Sequence, residues 1–464
     1  MATQVSPTAL ERLRESMRGE IITPEDAAYE EARMVWNGDI DRRPAVIARC
    51  ASVDDVKAAL VFGRSGGLRI AVRAGGHSFP GHSIADDALV IDLRRMNNVS
   101  IDPATRRATV QGGATWAELD GPAQAHGLAV TGGHVTHTGV AGLTLGGGIG
   151  WVMRKLGLTA DNLLSAQIVT ADGRVLQASA SENDDLFWAI RGGGGNFGIA
   201  TEFVFKLTPV GPTVLGGLAF WPPEEGPDLM RRFREFCGRC PDEVTTELAY
   251  LYAPPFDFVP KDVQLKPGYA LVVAGTDVEV AESAVKDMRS FAPPLFDVIG
   301  PMPYLTLQSM FDAALPPGTR TYLKANNIDE LSDEVIRTIH GETSRMPPGR
   351  SMLFVVQMGG AVARVAEDAT AFGGRSAPFQ SLSLGIWDEP DQKASAVKWV
   401  RGFSSALEPH GRGAYVNLTD HQDESALRIT YGTAKYAKLQ RIKAKYDPDN
   451  VFRLNQNITP TMHG

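Results

Sequence analysis

A loop bordered by glycines constrains this chain more than any other stretch. It reads Arg73-Ala74-Gly75-Gly76-His77-Ser78-Phe79-Pro80-Gly81-His82-Ser83 and lies between apolar runs at 68–72 and 89–93. Short apolar runs bounded by Gly and Pro predict strands, so the segment is predicted to be a tight loop joining two of them. Glycines allow positive φ and leave backbone N–H groups uncovered, which lets several N–H groups converge on one anionic phosphate. The sequence therefore predicts an anion-binding loop that carries His77.

Two further segments are rich in glycine, at 132–151 and 192–198. Each glycine costs up to about 1 kcal/mol relative to alanine in a regular element, so 132–151 is predicted to be neither helix nor strand. A backbone of this kind is useful where it must lie close against a flat ligand. No G-x-G-x-x-G opens a Rossmann unit and no G-x-x-x-x-G-K-[ST] is present. The pattern indicates a dinucleotide site assembled from several loops.

The regular elements change character along the chain. Ser52, followed by two aspartates, predicts a helix start, and Asp172-Gly173 predicts a hairpin. From about Val210 the glycine clusters end, and helical patterns alternate with strand-like runs. The helical patterns lie at 227–240, 278–291, 332–345 and 392–407, and the strand-like runs at 269–273 and 352–357. This predicts an α+β fold whose second half is an antiparallel sheet backed on one face by helices.

The last fifty residues return to short motifs. The segment 413–418 is predicted to be a strand with Tyr415 and Asn417 on one face, because residues two apart share a face. A helix is predicted over 425–446. A chain of 464 residues is too long for one ordinary core. We expect a first domain at 1–210 with its core at about 43–210, a substrate domain at 211–410, and a return of 411–464 to the first domain.

Composition excludes several classes of function. The formal charge is -8, so a general electrostatic attraction to nucleic acid or to an anionic membrane is not expected. There is no signal-peptide pattern and no apolar run of the roughly 20 residues that a membrane span needs, so a cytoplasmic location is expected. Three cysteines provide no disulfide framework. Cys237 and Cys240 match C-x-x-C inside a charged helical stretch, which leaves a redox pair or two incidental thiols.

Four motifs together carry a resemblance that spans nearly the whole chain. They are Arg73 to Ser78, Gly139 to Trp151, Leu186 to Gly198 and Tyr446-Asp447-Pro448-Asp449-Asn450-Val451-Phe452. In this order they resemble the signatures of the berberine-bridge-enzyme-like flavoproteins of the vanillyl-alcohol-oxidase group. The resemblance implies a two-subdomain, PCMH-type FAD-binding domain next to the substrate domain. It also implies FAD, with the pyrophosphate on the 73–78 loop.

The resemblance implies a cofactor-binding set drawn from the first three of these motifs and from positions outside them. The set is Arg73, Ala74, Gly75, Gly76, His77, Ser78, Gly81, His82, Thr138, Gly139, Gly142, Gly146, Gly147, Gly148, Ile149, Gly150, Asn162, Gly198, Ile199, Tyr415, Asn417, Asn455 and Asn457. It implies a covalent bond between the flavin and His77, which is plausible because a neutral imidazole is a nucleophile. The alternative is a loop histidine satisfied by backbone hydrogen bonds.

Two positions bear on how the flavin is attached and how it is reoxidised. Many members form a second flavin bond through a cysteine, and Val135 occupies that position, so a single attachment is expected. Thr138 lies where the family controls the access of O2, and a small β-branched residue there favours an oxidase over a dehydrogenase. The alternative for Thr138 is that its hydroxyl caps its own turn.

Four residues are candidates for catalysis. Tyr415 and Asn417 match the family motif Y-x-N-Y, whose second tyrosine is Leu418 here. Tyr415 is the first candidate base, although its ordinary pKa near 10 would have to be lowered by nearby positive charge. His137 is the second candidate, and either residue could instead only position substrate. Gln357 matches a substrate-domain strand motif and is expected to hydrogen-bond the ligand or the flavin edge.

The predicted function is that of a FAD-dependent oxidase. Hydride would move from a C–H bearing OH or N of a small natural-product, sugar or cyclic amine substrate, with O2 reduced to H2O2. Two alternatives are a flavin-dependent oxygenase of polyketide tailoring and a non-catalytic flavin-binding or ligand-binding protein. No metal site is expected, because His134 and His137 lack acidic or cysteine companions at ligand spacing.

Overall fold

The computed structural model of the chain describes residues 6–420 and 423–461. The two ends of the predicted FAD-binding domain, 1–5 and 462–464, lie outside the described residues. The predicted α+β class is confirmed: helices surround one four-stranded, one five-stranded, one two-stranded and one eight-stranded sheet. In the described part of the chain no helix is long and apolar enough to span a membrane.

The first sheet is mostly parallel. Its strands are β1 (Glu20–Ile22), β2 (Val46–Arg49), β3 (Ile70–Arg73) and β4 (Leu89–Asp92), and its helices are α1 (Pro7–Ser16), α2 (Tyr29–Ala32) and α3 (Val53–Ser65). The strand order is β1-β2-β4-β3, and β4 lies parallel to both β2 and β3. The predicted start of α3 is confirmed, because the Ser52 hydroxyl accepts a hydrogen bond from the Asp55 N–H at 3.2 Å.

The loop after β3 is long. It was predicted to be tight, and this is wrong, because β3 and β4 are parallel neighbours and the chain must travel back along the sheet between them. Residues 74–88 make this crossover without a helix or strand of their own. The histidine-bearing loop therefore has room to spread over one end of the sheet.

The second sheet is antiparallel. The strands of this region are β5 (Val99–Asp102), β6 (Arg107–Gln111), β7 (Leu128–Ala129), β8 (Leu163–Val169), β9 (Val175–Ser179), β10 (Ile199–Lys206) and β11 (Thr208–Pro209). The helices are α4 (Trp116–Gln124), α5 (Val140–Leu145), α6 (Met153–Leu156) and α7 (Asp184–Ala189), with a 3-10 turn at Thr159–Asn162. The five-stranded order is β5-β6-β10-β8-β9, while β7 pairs with β11. The predicted hairpin at Asp172-Gly173 is confirmed by the pairing of β8 with β9.

Helix α5 contradicts the prediction that 132–151 contains no regular element. Its residues Val140, Ala141 and Thr144 are buried. Burial of this face stabilises the short helix in spite of Gly142, because apolar surface removed from water contributes more than one glycine costs. The glycines after α5 then return the segment to irregular backbone.

The third sheet belongs to the middle of the chain and is antiparallel. Its strands are β12 (Thr213–Trp221), β13 (Val244–Tyr252), β14 (Pro267–Gly275), β15 (Phe296–Asp297), β16 (Gly300–Pro303), β17 (Arg320–Ile328), β18 (Met352–Gln357) and β19 (Phe379–Trp387). The helices are α8 (Gly226–Cys237), α9 (Val278–Arg289), α10 (Tyr304–Gln308), α11 (Asp333–Thr343), α12 (Ala361–Arg364) and α13 (Lys393–Leu407), with 3-10 turns at Pro223–Glu225, Pro390–Gln392 and Glu408–His410. Apolar residues of α8, α9, α11 and α13 cover one face of the sheet, as predicted.

The C-terminal segment differs from the prediction in two places. Residues 413–418 do not form a strand, since they contain a 3-10 turn at Val416–Leu418. The predicted long helix is two helices, α14 (Glu424–Tyr431) and α15 (Thr433–Tyr446), because Gly432 lies between them at φ 77°. Such a φ is easily adopted by glycine and interrupts helical hydrogen bonding.

A short N-terminal segment connects the glycine-rich half to the eight-stranded sheet. The Trp36 indole donates a hydrogen bond to the Leu315 carbonyl at 3.1 Å. The Asn37 amide donates to the carbonyls of Phe79 at 2.8 Å and Thr321 at 3.0 Å. Residues 36–37 are thus bonded to both sides of the cleft between the two halves.

Candidate active site

A cavity of about 330 Å³ lies between the glycine-rich loops and the eight-stranded sheet. Most of the predicted cofactor-binding residues line it. They are Ala74, Gly75, Gly76, His77, Ser78, His82, Thr138, Gly139, Gly142, Ile149, Gly198, Ile199, Tyr415, Asn417 and Asn455. Loops that are far apart in the sequence therefore meet at one site.

The two principal glycine loops contact each other backbone to backbone. A Cβ atom on Gly75 would lie 2.4 Å from the backbone nitrogen of Gly139, and one on Gly139 would lie 2.4 Å from that of Gly75. Gly76 follows at φ 72°, in the left-handed region. Side chains at 75 or 139 would separate the loops, so this wall of the cavity requires glycine.

Arg73 was predicted to bind the cofactor, but it does not line the cavity. Its guanidinium is buried and donates to the carbonyl of Ala32 at 2.5 Å and to that of Met34. Burial lowers the pKa of Arg73 to about 10. Arg73 lies behind the loop and joins it to the N-terminal segment.

Several other predicted cofactor residues are packing positions outside the cavity lining. A Cβ on Gly147 would lie 2.4 Å from the Phe372 ring, and the Asn162 amide donates to two backbone carbonyls at 2.9 Å. These interactions account for Gly147 and Asn162 without a cofactor contact. The predicted residues of this group are Gly81, Gly146, Gly147, Gly148, Gly150, Asn162 and Asn457.

His77 lies in an aromatic stack. Its ring lies 4.7 Å from the Trp36 ring and 4.8 Å from the His137 ring, measured between centroids. The Nε2 atom of His77 is 2.7 Å from Nδ1 of His137. Burial, with a smaller contribution from His137, lowers the pKa of His77 to about 3. His77 is therefore a neutral imidazole whose Nε2 is engaged by His137 and whose Nδ1 is not.

His137 was predicted as the second candidate base, and the structure places it behind His77 and outside the cavity lining. Burial lowers the pKa of His137, while the Asp312 carboxylate and the Leu315 carbonyl oppose that shift. Its position suits it to orient His77.

Tyr415 and Asn417 lie together on the cavity wall, as predicted. The Tyr415 hydroxyl accepts hydrogen bonds from the Gly148 N–H at 3.0 Å and from the Asn417 amide at 2.8 Å. Burial raises the pKa of Tyr415 to about 12, against smaller effects of these two bonds. The condition for Tyr415 to act as a base, a pKa lowered by nearby positive charge, is therefore not met, and the phenol is neutral at neutral pH.

Gln357 does not reach the cavity, contrary to its predicted role. Its side chain accepts from the Thr246 hydroxyl at 2.6 Å and lies under α8, near the Cys237 carbonyl. On β18 the cavity-lining residues are Met352, Phe354 and Val356, so the odd-numbered Gln357 faces the helices.

The two cysteines near Gln357 do not resemble a redox pair. Burial raises the pKa of both the Cys237 and the Cys240 thiols. The thiolate is the reactive form, so both thiols are held in the unreactive state. Incidental thiols are the reading that the structure favours.

Sequence reasoning missed the residues that the eight-stranded sheet contributes. Glu247 of β13 and Gln380 of β19 line the cavity beside apolar residues, and His134 faces Glu247 from the glycine-rich loop. The available signal was Glu247 itself, a carboxylate in the otherwise uncharged strand Val-Thr-Thr-Glu-Leu-Ala-Tyr-Leu-Tyr. His134 was considered only as a metal ligand, and the described residues contain no cluster suited to a metal.

The cavity has the properties that a large polar cofactor requires. Five buried polar atoms on its lining lack a hydrogen-bond partner: His82 Nε2, Ser83 Oγ, His134 Nε2, Glu247 Oε1 and Asn455 Oδ1. Buried polar atoms are normally satisfied, so these point to a ligand. Within the described residues the lining includes no lysine or arginine, which leaves the loop N–H groups to meet a pyrophosphate.

Comparisons with known families agree with this site. A family model described as FAD binding domain matches residues 44–179, and one described as berberine and berberine like matches residues 414–459. Fold and cavity thus define a flavoprotein with a PCMH-type FAD-binding domain. The chain belongs to the berberine-bridge-enzyme-like family of FAD-linked oxidoreductases and is an enzyme.

Individual relatives support the assignment over the whole chain. A FAD-linked oxidoreductase of Dictyostelium discoideum is 32% identical over 452 residues, covering 96% of both chains. The (R)-6-hydroxynicotine oxidase of Paenarthrobacter nicotinovorans is 29% identical, covering 96% of this chain and 97% of that one. The solved structure of 6-hydroxy-D-nicotine oxidase from Arthrobacter nicotinovorans matches with a TM-score of 0.84 and 26% identity, covering 99% of this chain and 100% of that one.

Proposed function

We propose that this enzyme is an oxidase that holds FAD covalently through His77. The FAD, when bound, accepts a hydride from a substrate C–H that bears OH or N, and O2 is reduced to H2O2. The observation that carries the proposal is His77 itself, a neutral imidazole on the glycine-rich loop inside the cavity. Neutral imidazole is the nucleophilic form that a covalent link requires.

The attachment is proposed to be single and to use Nδ1. Val135 is buried on the cavity lining where a second link would need a thiol. The thiols of the described residues lie elsewhere, at Cys50, Cys237 and Cys240. Because His137 engages Nε2 of His77, Nδ1 is the nitrogen left available.

Reoxidation by O2 is supported by Thr138. Its side chain lines the cavity beside Gly139, and its hydroxyl makes no hydrogen bond to another described residue, as a turn cap would. A small residue here leaves room for O2. An oxygenase remains the alternative, and labelled O2 entering the product would identify it.

The substrate is proposed to be a small molecule. The named relatives include oxidases of 6-hydroxynicotine, and a chitooligosaccharide oxidase shares the fold at 24% identity. Tyr415 is proposed to position the substrate as a hydrogen-bond donor, because its pKa of about 12 disfavours the tyrosinate.

The attachment is tested by denaturing the purified protein in acid. We expect a yellow polypeptide heavier by one FAD, and His77→Ala should release the pigment. Cys50→Ala is the matched control and should keep it, because Cys50 is buried in the core of the first sheet. Release of intact FAD by the unaltered protein would contradict the covalent bond, and a colourless protein would contradict flavin binding.

The oxidase reaction is tested with a panel of alcohols and amines. We expect anaerobic bleaching of the flavin by at least one class, followed in air by one H2O2 for each substrate oxidised. Bleaching without reoxidation by O2 would identify a dehydrogenase, and a flavin that no substrate reduces would support a non-catalytic binding protein.

A further inference from the structure

The sheet wall of the cavity has a polar end and an apolar remainder. Val356 of β18 is paired with Glu247 of β13 on one side and with Gln380 of β19 on the other. The next row across the same strands is Ala249, Phe354 and Leu382. A ligand lying on this sheet would therefore meet apolar side chains along its length and hydrogen-bonding groups at one end.

Glu247 is the formally charged carboxylate of that polar end. Its side chain is 3% exposed, and its Oε1 atom has no hydrogen-bond partner. The described part of the lining contains no lysine, arginine or aspartate. A buried carboxylate is costly unless a cation or hydrogen-bond donors meet it, so a cationic ligand at this end of the cavity would be stabilised by Glu247.

His134 is the ion-pair partner of Glu247. Its Nε2 is 2.7 Å from Oε1 of Glu247. The imidazole ring packs edge-on against Trp151, with 4.6 Å between centroids. Glu247 and His134 thus place one carboxylate and one imidazole side by side on the cavity lining.

We propose that Glu247 is the recognition site for a cationic nitrogen, and that the substrate is a small, largely apolar amine. This deepens, and rests on, the proposed oxidase function. The ammonium would lie against the carboxylate of Glu247, and the hydrocarbon would lie against Phe354 and Leu382. Sugars and anions fit less well, because the wall offers few donors and no fixed positive charge.

The test uses anaerobic calorimetry on the yellow holoenzyme at neutral pH, where the amine probes are cations. Benzylamine is compared with benzyl alcohol, and cyclohexylamine with cyclohexanol. We expect each amine to bind about 10- to 100-fold more tightly than its alcohol, as for hydrogen bonds to a charged partner. Glu247→Gln should remove this preference, while alcohol binding and the melting temperature stay close to those of the unaltered enzyme.

Two further variants make the result specific. Glu247→Asp keeps the charge and should keep the preference for amines over alcohols. If Glu247→Gln does not fold, loss of that preference in Glu247→Asp would count against the proposal. Glu243→Gln is the matched control, because Glu243 bonds Lys155 at 2.5 Å and does not line the cavity. It should bind amines as the unaltered enzyme does.

Three results would overturn the proposal. The first is an enzyme that binds alcohols as tightly as amines. The second is a Glu247→Gln variant that retains amine binding within about twofold. The third is a parallel loss of amine binding, alcohol binding and melting temperature, which would make Glu247 a structural bridge. Because calorimetry needs no turnover, a failed oxidase function would appear separately, as a flavin that amines bind beside but do not bleach.

Discussion

The two walls of the cavity differ in composition: one presents mainly backbone atoms and the other presents side chains. The wall formed by the loops at 74–88 and 132–151 is largely backbone, held where Gly75 and Gly139 touch. The opposite wall consists of side chains that alternate along β13, β18 and β19. A wall made of backbone suits a cofactor that stays the same from one enzyme to the next. A wall made of side chains can be altered by a single substitution so that it binds a different ligand. The comparison explains why the motifs of the glycine-rich loops can be predicted from the sequence and the side chains of the sheet wall cannot.

The strongest test of the backbone wall is Gly75→Ala. The added Cβ would lie 2.4 Å from the Gly139 nitrogen and 2.6 Å from its Cα, and neither atom can yield without moving a loop. We expect purified protein without flavin, as measured by visible absorbance per polypeptide. Gly402→Ala is the control, because Gly402 is exposed on α13, where an added Cβ would meet no atom within 4 Å, and the variant should gain up to about 1 kcal/mol of stability. Normal flavin content in Gly75→Ala would break the comparison.

The next effect concerns the support of the third glycine-rich loop, at 192–198, which also lines the cavity. Lys443 is fully buried, and its ammonium donates to Asp447 at 2.6 Å and to the carbonyls of Asn196 and Phe452 at 2.8 and 2.9 Å. Lys443→Met would leave a buried carboxylate unpaired and should lower the free energy of unfolding by about 3–5 kcal/mol. Lys445→Met removes an exposed ion pair with Asp185 and should cost about 0–1 kcal/mol. Equal urea midpoints for both variants would be evidence against this anchor.

Tyr415→Phe tests the hydrogen bond that joins the C-terminal segment to the glycine-rich loop. The substitution leaves the Gly148 N–H without its acceptor, at a cost of about 1–3 kcal/mol, while the Asn417 amide keeps the carbonyls of Gly142 and Leu143 as acceptors. Since burial raises the pKa of Tyr415 to about 12, the pH–rate profiles of enzyme and variant should have the same shape up to about pH 10. An alkaline limb that disappears in the variant would establish a tyrosinate base.

Leu382→Ala tests the side-chain wall. Leu382 lines the cavity from β19 and does not belong to the cofactor loops. We expect full flavin content and a KM raised about fivefold, equivalent to losing about 1 kcal/mol of apolar contact. A loss of flavin in this variant would show that the two walls are not separable.

A further effect of similar size is the pH dependence of stability at His82. Burial lowers the pKa of His82 to about 4, against the opposing effect of Asp420. The unfolded chain therefore binds a proton on this histidine near pH 6.5, whereas the folded protein binds it only near pH 4. The free energy of unfolding therefore falls as the pH drops from about 6.5 towards 4. Relative to His82→Asn, the enzyme should lose roughly 1–2 kcal/mol between pH 7 and 5 in urea titrations. Parallel curves would show that His82 is not desolvated.

The sequence supports the prediction of the fold and the cofactor loops because both leave local signals. Glycine runs identify the positions where backbone approaches backbone, and Ser52 identifies the start of α3. The crossover at 74–88 was misread, because strand direction depends on partners elsewhere in the chain. Tyr415 and Asn417 were paired correctly although the predicted strand is a turn, since residues two apart also meet there.

The side-chain wall could not be predicted from the sequence, for a different reason. Which face of β18 reaches the cavity depends on which side α8 covers, and a six-residue run that is buried throughout has no alternation to reveal it. Gln357 was therefore assigned to the wrong face. Glu247 and His134 come from distant segments, and nothing local indicates that they meet.

The bridge at residues 36–37 limits how such enzymes can be recombined. A chimaera that exchanges only the central sheet would pair a foreign sheet with the native Trp36 and Asn37, whose partners are the carbonyls of Leu315 and Thr321. The Trp36 ring also stacks on His77, so an ill-fitting graft would disturb the proposed attachment residue although His77 lies outside the exchanged segment. A chimaera that is meant to transfer substrate specificity therefore has to take residues 36–37 from the same donor as the central sheet.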